Sequence, residues 1–144
     1  SVLALHDFGY VHGDLKPQHI RLWRQRVQLI DFGQVQPVDS LETVMGGGGT
    51  PAYMAPELFL GQPKSIQSDI YALGIMFYEY LMGYKPFRAQ NYQNWAIAHC
   101  QMPVPLLAKP LQHYQNIIDL MLVKHKQYRI SNLRQVKQLL LALE

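Results

Sequence analysis

The side chains best suited to chemistry crowd one ten-residue stretch, Val11-His12-Gly13-Asp14-Leu15-Lys16-Pro17-Gln18-His19-Ile20. It gathers two imidazoles, a carboxylate and an ammonium, groups that take up protons and steady developing charge. A second carboxylate, Asp31 of Asp31-Phe32-Gly33, follows seventeen residues after Asp14. Other candidate chemistries are weaker. Cys100 is the single cysteine, which rules out an internal disulfide and fits a reducing compartment. As a nucleophile it needs a positioned base, and the adjacent His99 is a thin signal, so Cys100 reads as a buried small hydrophobe. The histidines show no HxxxH or HExxH spacing, and no dedicated zinc site is expected. The run Gly46-Gly47-Gly48-Gly49 lacks phosphate-loop spacing and a following lysine, so it reads as a mobile loop.

The elements that must hold these groups can be read in chain order. Residues 2–8 form a short helix closed by Gly9. Two turns alone are marginal in water. That helix reads as the end of a longer one, and Ser1 in place of Met suggests that something upstream has been cut away. Runs 20–23 and 27–30, split by Arg24-Gln25-Arg26, predict a hairpin that delivers Asp31 from the end of a strand. Residues 34–48 carry no periodicity. Residues 68–82 predict a helix with Ser68 as cap and Asp69 in the first turn, where a carboxylate favours the dipole. It is apolar on nearly every face and belongs in the middle of a domain.

Gly83-Tyr84-Lys85-Pro86-Phe87 ends that helix in a turn, and residues 91–100 suggest another helix before the extended Met102-Pro103-Val104-Pro105. Tyr114, Ile117, Ile118 and Met121 share one helical face. Leu133, Val136, Leu140 and Leu143 share another, with Ser131 as the expected N-cap.

A chain of 144 residues suggests one domain that buries about two thirds of its unfolded surface. At 49% hydrophobic and 16% charged it forms a core and is neither disordered nor fibrous. The net charge is +3, but the densest basic group, Arg21, Arg24 and Arg26, lacks aromatic interleaving for stacking bases, so no nucleic-acid partner is expected. No secretory leader opens the chain. The longest apolar run, near residues 70–82, falls short of the roughly 20 residues a bilayer needs, so no membrane insertion is expected. The chain reads as cytoplasmic.

Six features arrive in a telling order: His12-Gly13-Asp14-Leu15-Lys16-Pro17, Asp31-Phe32-Gly33, Gly49-Thr50-Pro51-Ala52-Tyr53-Met54-Ala55-Pro56-Glu57, the helix opened by Ser68-Asp69, the Pro86-Phe87 turn, and Arg129. Together they resemble the protein kinase family, and residues 96–105 look most like bacterial Ser/Thr protein kinases. The resemblance implies an α+β, mainly α-helical fold: a kinase-like C-terminal lobe with a short catalytic-loop β-hairpin. Residues 1–144 would be a partial kinase domain, entered within the helix before the catalytic loop. The glycine-rich strand, the V-A-I-K strand and their helix do not occur in the sequence, so the missing N-terminal lobe is an expected partner.

The resemblance also implies roles. Asp14 orients the attacking hydroxyl and accepts its proton, and Lys16 stabilises the transferring phosphoryl group. Lys16 with Thr50 looks like the Ser/Thr-specific pattern, and Asp31 would bind the magnesium that bridges the phosphates. ATP and Mg²⁺ are the implied cofactors and a protein the implied substrate. His12 is structural, Asp69 hydrogen-bonds the catalytic-loop backbone, and Glu57–Arg129 is a predicted buried ion pair worth about 3–5 kcal/mol if one side is lost.

Three departures matter. Gly13 replaces the arginine that pairs with a phosphorylated loop, so activation through Ser40 or Thr43 is not expected. His19 replaces the asparagine that gives an oxygen to a second metal, and imidazole serves magnesium poorly. Arg21 stands where an apolar residue floors the adenine pocket. The expected activity is transfer of the ATP γ-phosphate to protein Ser/Thr hydroxyls by the complete domain, with this chain alone inactive. Two alternatives stay open: a pseudokinase lobe that binds protein partners, and a small-molecule kinase of the aminoglycoside or choline type, which also writes His-Gly-Asp. Lys16, Asp31-Phe32-Gly33 and the segment from Thr50 to Glu57 point away from the latter.

Overall fold

The computed structural model of the chain describes residues 1–42 and 48–143. Thr43, Gly46 and Gly47, on which a phosphorylation site and a mobile loop were weighed, lie outside the described residues. Helix α1 (Val2–Asp7) begins at Ser1, whose hydroxyl accepts the Ala4 N–H at 3.4 Å, and stops at Gly9, left-handed at φ 79°. Strand β1 (Tyr10–Val11) leads into the His12–Ile20 loop. Strands β2 (Ile20–Trp23) and β3 (Arg26–Leu29) pair antiparallel, Ile20 opposite Leu29 and Trp23 opposite Arg26. The second strand therefore starts one residue earlier than the sequence suggested. Only Arg24 and Gln25 make the turn, both left-handed (φ 47° and 62°), the two-residue geometry whose twist matches a hairpin. Strand β4 (Gln36–Pro37) returns to β1 with Tyr10 opposite Pro37, so the segment after Asp31 is sewn to the root of the loop.

The remainder is helical: α2 (Pro56–Phe59), α3 (Ile66–Met82), α4 (Tyr92–Gln101), α5 (Gln115–Met121) and α6 (Leu133–Leu141). The long apolar α3 is the centre of the core, with Ile70, Tyr71, Ile75 and Tyr78 fully buried. It starts two residues before the expected Ser68. Ser65 is the cap, and the Ser68 hydroxyl reaches back to the Ser65 N–H in a reciprocal capping box. Along α3, Gly74 meets α5 so closely that a Cβ would lie 2.9 Å from the Met121 Cβ. Tyr114 ends a 3₁₀ turn (Lys109–Tyr114) and does not sit within α5. Helix α6 is capped by Asn132, not Ser131, since the Asn132 Oδ1 accepts the Arg134 N–H at 2.8 Å. Its Val136 is buried, while Leu143 lies past its end and is exposed.

His99 of α4 is wholly buried, hydrogen-bonded to the Tyr71 hydroxyl at 2.8 Å and stacked on Phe59 and Trp95. Burial, helped by the Lys124 charge, pushes this imidazole down to about 3, so it is neutral packing. Cys100 is half-buried, not buried as expected, and burial pushes its thiol up, away from the thiolate a nucleophile needs. Among the described residues no helix is long and apolar enough to cross a membrane.

Candidate active site

The site begins with a carboxylate that faces no solvent. Asp69, in the first turn of α3, is 2% exposed and accepts the His12 N–H at 2.8 Å and the Gly13 N–H at 2.9 Å. The His6 Nε2 of α1 meets its second lone pair at 2.9 Å. Asp69 thus fastens the loop's start to the central helix and to α1. His12 is also buried, its Nε2 3.4 Å from the Ile30 carbonyl and its Nδ1 accepting the Asp14 N–H at 3.3 Å. Backbone donors satisfied this way leave the loop one conformation.

Asp14, Lys16 and Thr50 are brought together. The Asp14 Oδ1 accepts both the Thr50 N–H (2.8 Å) and the Thr50 hydroxyl (2.9 Å). Lys16 Nζ donates to the Thr50 Oγ1 at 2.9 Å and lies 3.5 Å from the Asp14 Oδ2. Thr50 is delivered by the segment before the 3₁₀ turn Pro51–Tyr53, and its hydroxyl links anion and cation. Such a carboxylate, half-satisfied and beside an ammonium, can take a hydroxyl proton while the ammonium steadies negative charge.

His19 joins this group to Asp31. Its Nδ1 lies 2.8 Å from the Asp14 carbonyl and its Nε2 3.2 Å from the Asp31 Oδ2. Both ring nitrogens lie against oxygens of the chain. Asp31 itself is 56% exposed and left-handed at φ 59°, with a 3.3 Å bond from the Gly33 N–H to its Oδ1. Its carboxylate oxygens suit a hard cation that keeps phosphate and water as its other ligands. The imidazole does not suit it, being a nitrogen already engaged. Among the described residues no group of three His, Cys, Asp or Glu could hold a metal by protein ligands alone.

Glu57 and Arg129 lie apart from this cluster, in the floor beneath α2. The guanidinium meets both carboxylate oxygens at 2.7 and 2.8 Å with both side chains buried, and also donates to the Val123, Gln67 and Lys124 carbonyls. Sequence reasoning missed His6, Lys64 and the Tyr53 hydroxyl, which donates to the Glu79 carboxylate at 2.6 Å while Lys85 pairs with it at 3.0 Å. No local spacing announces them. Only Glu79, alone as a charge late in an apolar helix, was a signal.

A buried helix-borne carboxylate thus grips the loop that carries Asp14 and Lys16, and a separate segment brings Thr50 against both charges. The chain matches the protein kinase domain over residues 1–141 and belongs to that family. It is 35% identical over 128 residues to the serine/threonine-protein kinase PknA of Mycobacterium tuberculosis, covering 86% of this chain and 30% of that protein. To the serine/threonine-protein kinase Pkn1 of Myxococcus xanthus it is 38% identical over 113 residues, 73% of this chain and 16% of the relative. A calcium/calmodulin-dependent protein kinase type II of Caenorhabditis briggsae matches at 32% over 139 residues, 91% of this chain and 26% of the relative. The chain therefore spans less than a third of the length of these relatives.

Proposed function

We propose that residues 1–144 are the C-terminal lobe of a Ser/Thr protein kinase domain, the part that carries the catalytic loop. In the whole protein it passes the ATP γ-phosphate to a Ser or Thr hydroxyl of a protein substrate. The observation that carries this reading is the Asp14–Thr50–Lys16 triangle, with Thr50 bonded to both charges at 2.9 Å. Asp14 would receive the proton of the attacking hydroxyl, Thr50 holds the Asp14 carboxylate in place, and Lys16 would balance the charge as the hydroxyl oxygen bonds the γ-phosphorus and the bond to the β,γ-bridging oxygen breaks, releasing ADP. ATP with Mg²⁺ supplies the phosphoryl group and neutralises its oxygens when bound. Asp31 is the residue suited to hold that metal. His12, Asp69 and the Glu57–Arg129 pair keep the frame rigid.

An exposed apolar face supports the idea of a second lobe. Phe8 (81% exposed), Val27 and Phe32 edge an open hollow of about 450 Å³. The N-terminal lobe of the domain is the occupant in this reading. A lone half-buried thiol, Cys100, is consistent with the reducing cytoplasm.

One observation favours a second reading. His19 sits against both Asp14 and Asp31 and could hold the nucleotide side shut, leaving a pseudokinase lobe that binds partners. The deciding experiment uses the full-length protein: ATP binding with and without Mg²⁺, and phosphoryl transfer to a Ser/Thr substrate by wild type and Asp14→Asn. The kinase reading expects magnesium-dependent ATP binding and a rate loss of about 10²–10⁴-fold in the variant. A folded protein that binds no ATP would reject it in favour of the pseudokinase.

A further inference from the structure

Lys64 lies in the loop between α2 and α3 and is 5% exposed, an unusual place for a lysine. Its ammonium donates to the Gln34 side-chain oxygen at 2.7 Å and to the Gln34 backbone carbonyl at 3.3 Å. Among the described residues these hydrogen-bond partners are both neutral oxygens. A buried charge bonded only to neutral groups needs compensation from its surroundings. Burial pushes the ammonium below the usual lysine value, and the nearby carboxylates of Asp14 and Asp69 pull it back up. The cation thus sits in the field of the two aspartates that bracket Gly13.

Gly13 makes the seat. Its φ of +79° suits glycine, and a Cβ there would lie 2.6 Å from the Lys64 Cδ and 2.8 Å from both the Lys64 Nζ and the Gln34 carbonyl. The lysine fills the room that any side chain at position 13 would need. Three residues remote in sequence therefore form one packed unit. Gly13 belongs to the loop of Asp14, Gln34 to the segment just past Asp31, and Lys64 to the approach to the central helix.

We propose that Lys64 is a positioning residue: through Gln34 it ties the segment after Asp31 to the loop of Asp14, with no phosphate on the chain required. The inference rests on the reading that Asp14 and Asp31 serve phosphoryl transfer. Lys64 touches no reacting atom and acts by fixing the spacing of the two carboxylates. It is buried and already bonded to Gln34, so an added phosphate would have to evict Gln34 to reach it. The tie is a standing feature of the fold and not a response to modification.

The test uses the full-length protein as wild type, Lys64→Met, Lys64→Arg, Gln34→Ala and the Lys64→Met/Gln34→Ala pair. Backbone hydrogen exchange and steady-state kinetics are followed, with and without prior phosphatase treatment. In Lys64→Met, exchange at residues 33–36 should rise about ten-fold, the effect of one lost hydrogen bond. The His12 and Gly13 amides on Asp69 should keep their protection. The value of kcat should fall by as much as about 100-fold, with KM for the protein substrate little moved. Lys64→Arg should restore part of both, and adding Gln34→Ala to Lys64→Met should cost nothing more. Phosphatase should leave the wild-type rate unchanged.

Unaltered exchange at 33–36 in Lys64→Met, or a wild-type rate lost to phosphatase, overturns the proposal. Should Lys64→Met not fold, Gln34→Ala alone carries the same exchange test. Exchange needs no turnover, so a protein without kinase activity still reports on the tie. An active kinase with unaltered exchange rejects the tie and leaves the kinase reading standing.

Discussion

Asp69 and Asp31 flank the same loop and could hardly be less alike. Asp69 is 2% exposed and takes donors from His12, Gly13 and His6, all from its own chain. Asp31 has 56% of its side chain in solvent, a left-handed backbone at φ 59°, and, among the described residues, only His19 and a long Gly33 contact for company. The first carboxylate is complete as the chain folds. The second is held in a conformation that costs a non-glycine residue about 1 kcal/mol or more, with its carboxylate largely open to solvent. In the proposed function, stability and ligand chemistry thus fall to different aspartates on either side of one loop.

The comparison can be broken most directly at Asp69. Asp69→Ala strands two backbone N–H groups and an imidazole, each worth about 1–3 kcal/mol. Denaturant unfolding should show a loss on the order of 5 kcal/mol, and a loss below about 1 kcal/mol would mean the loop is held elsewhere. Next comes Arg129→Met, which leaves the Glu57 carboxylate buried and unpaired. It should cost about 3–5 kcal/mol, and adding Glu57→Gln should recover much of that.

Titration sharpens the contrast between buried and open groups. The unfolded chain takes up a proton at His99 that the folded chain refuses down to about pH 3. Stability should therefore be fully present above pH 6.5 and fall as the pH drops below it, by about 1.4 kcal/mol per unit from this group. His99→Gln should flatten that slope relative to wild type in urea melts between pH 4 and 7, a window bounded by roughly those values. The smallest stability effect belongs to Asp31→Ala, within about 0.5 kcal/mol because its side chain is largely in solvent. The same variant should abolish magnesium-dependent nucleotide binding in the full-length protein, as isothermal titration would read.

Much of this was legible from the residues. The apolar run of α3, the glycine after α1, and the hairpin leading to Asp31 all follow from periodicity and turn chemistry, which are local. The order of motifs carried the family. Errors fell where two local solutions compete. Ser65 and Ser68 can each cap α3, and the capping box that uses both appears only when the chain's approach angle is known. Ser131 and Asn132 compete in the same way at α6. His19 was weighed as a metal ligand from its place in the loop, and its contacts to a carbonyl and a carboxylate are set only by folding. Lys64 was invisible for a plainer reason. Its meaning lies in the missing Cβ of a residue fifty-one positions earlier, and no spacing encodes that.

One consequence of α3 concerns distance. Asp69 near its start grips the loop of His12 and Gly13, and Glu79 near its end takes the Tyr53 hydroxyl beyond Thr50. Ten residues of helix separate the two grips, a rod of about 15 Å at 1.5 Å per residue. Helices of this length scarcely stretch, so the rod acts as a gauge block between the loop that carries Asp14 and the strip that carries Thr50. The spacing of Asp14 and Thr50, on which the proposed transfer depends, is therefore set in part by the pitch of a helix that carries neither.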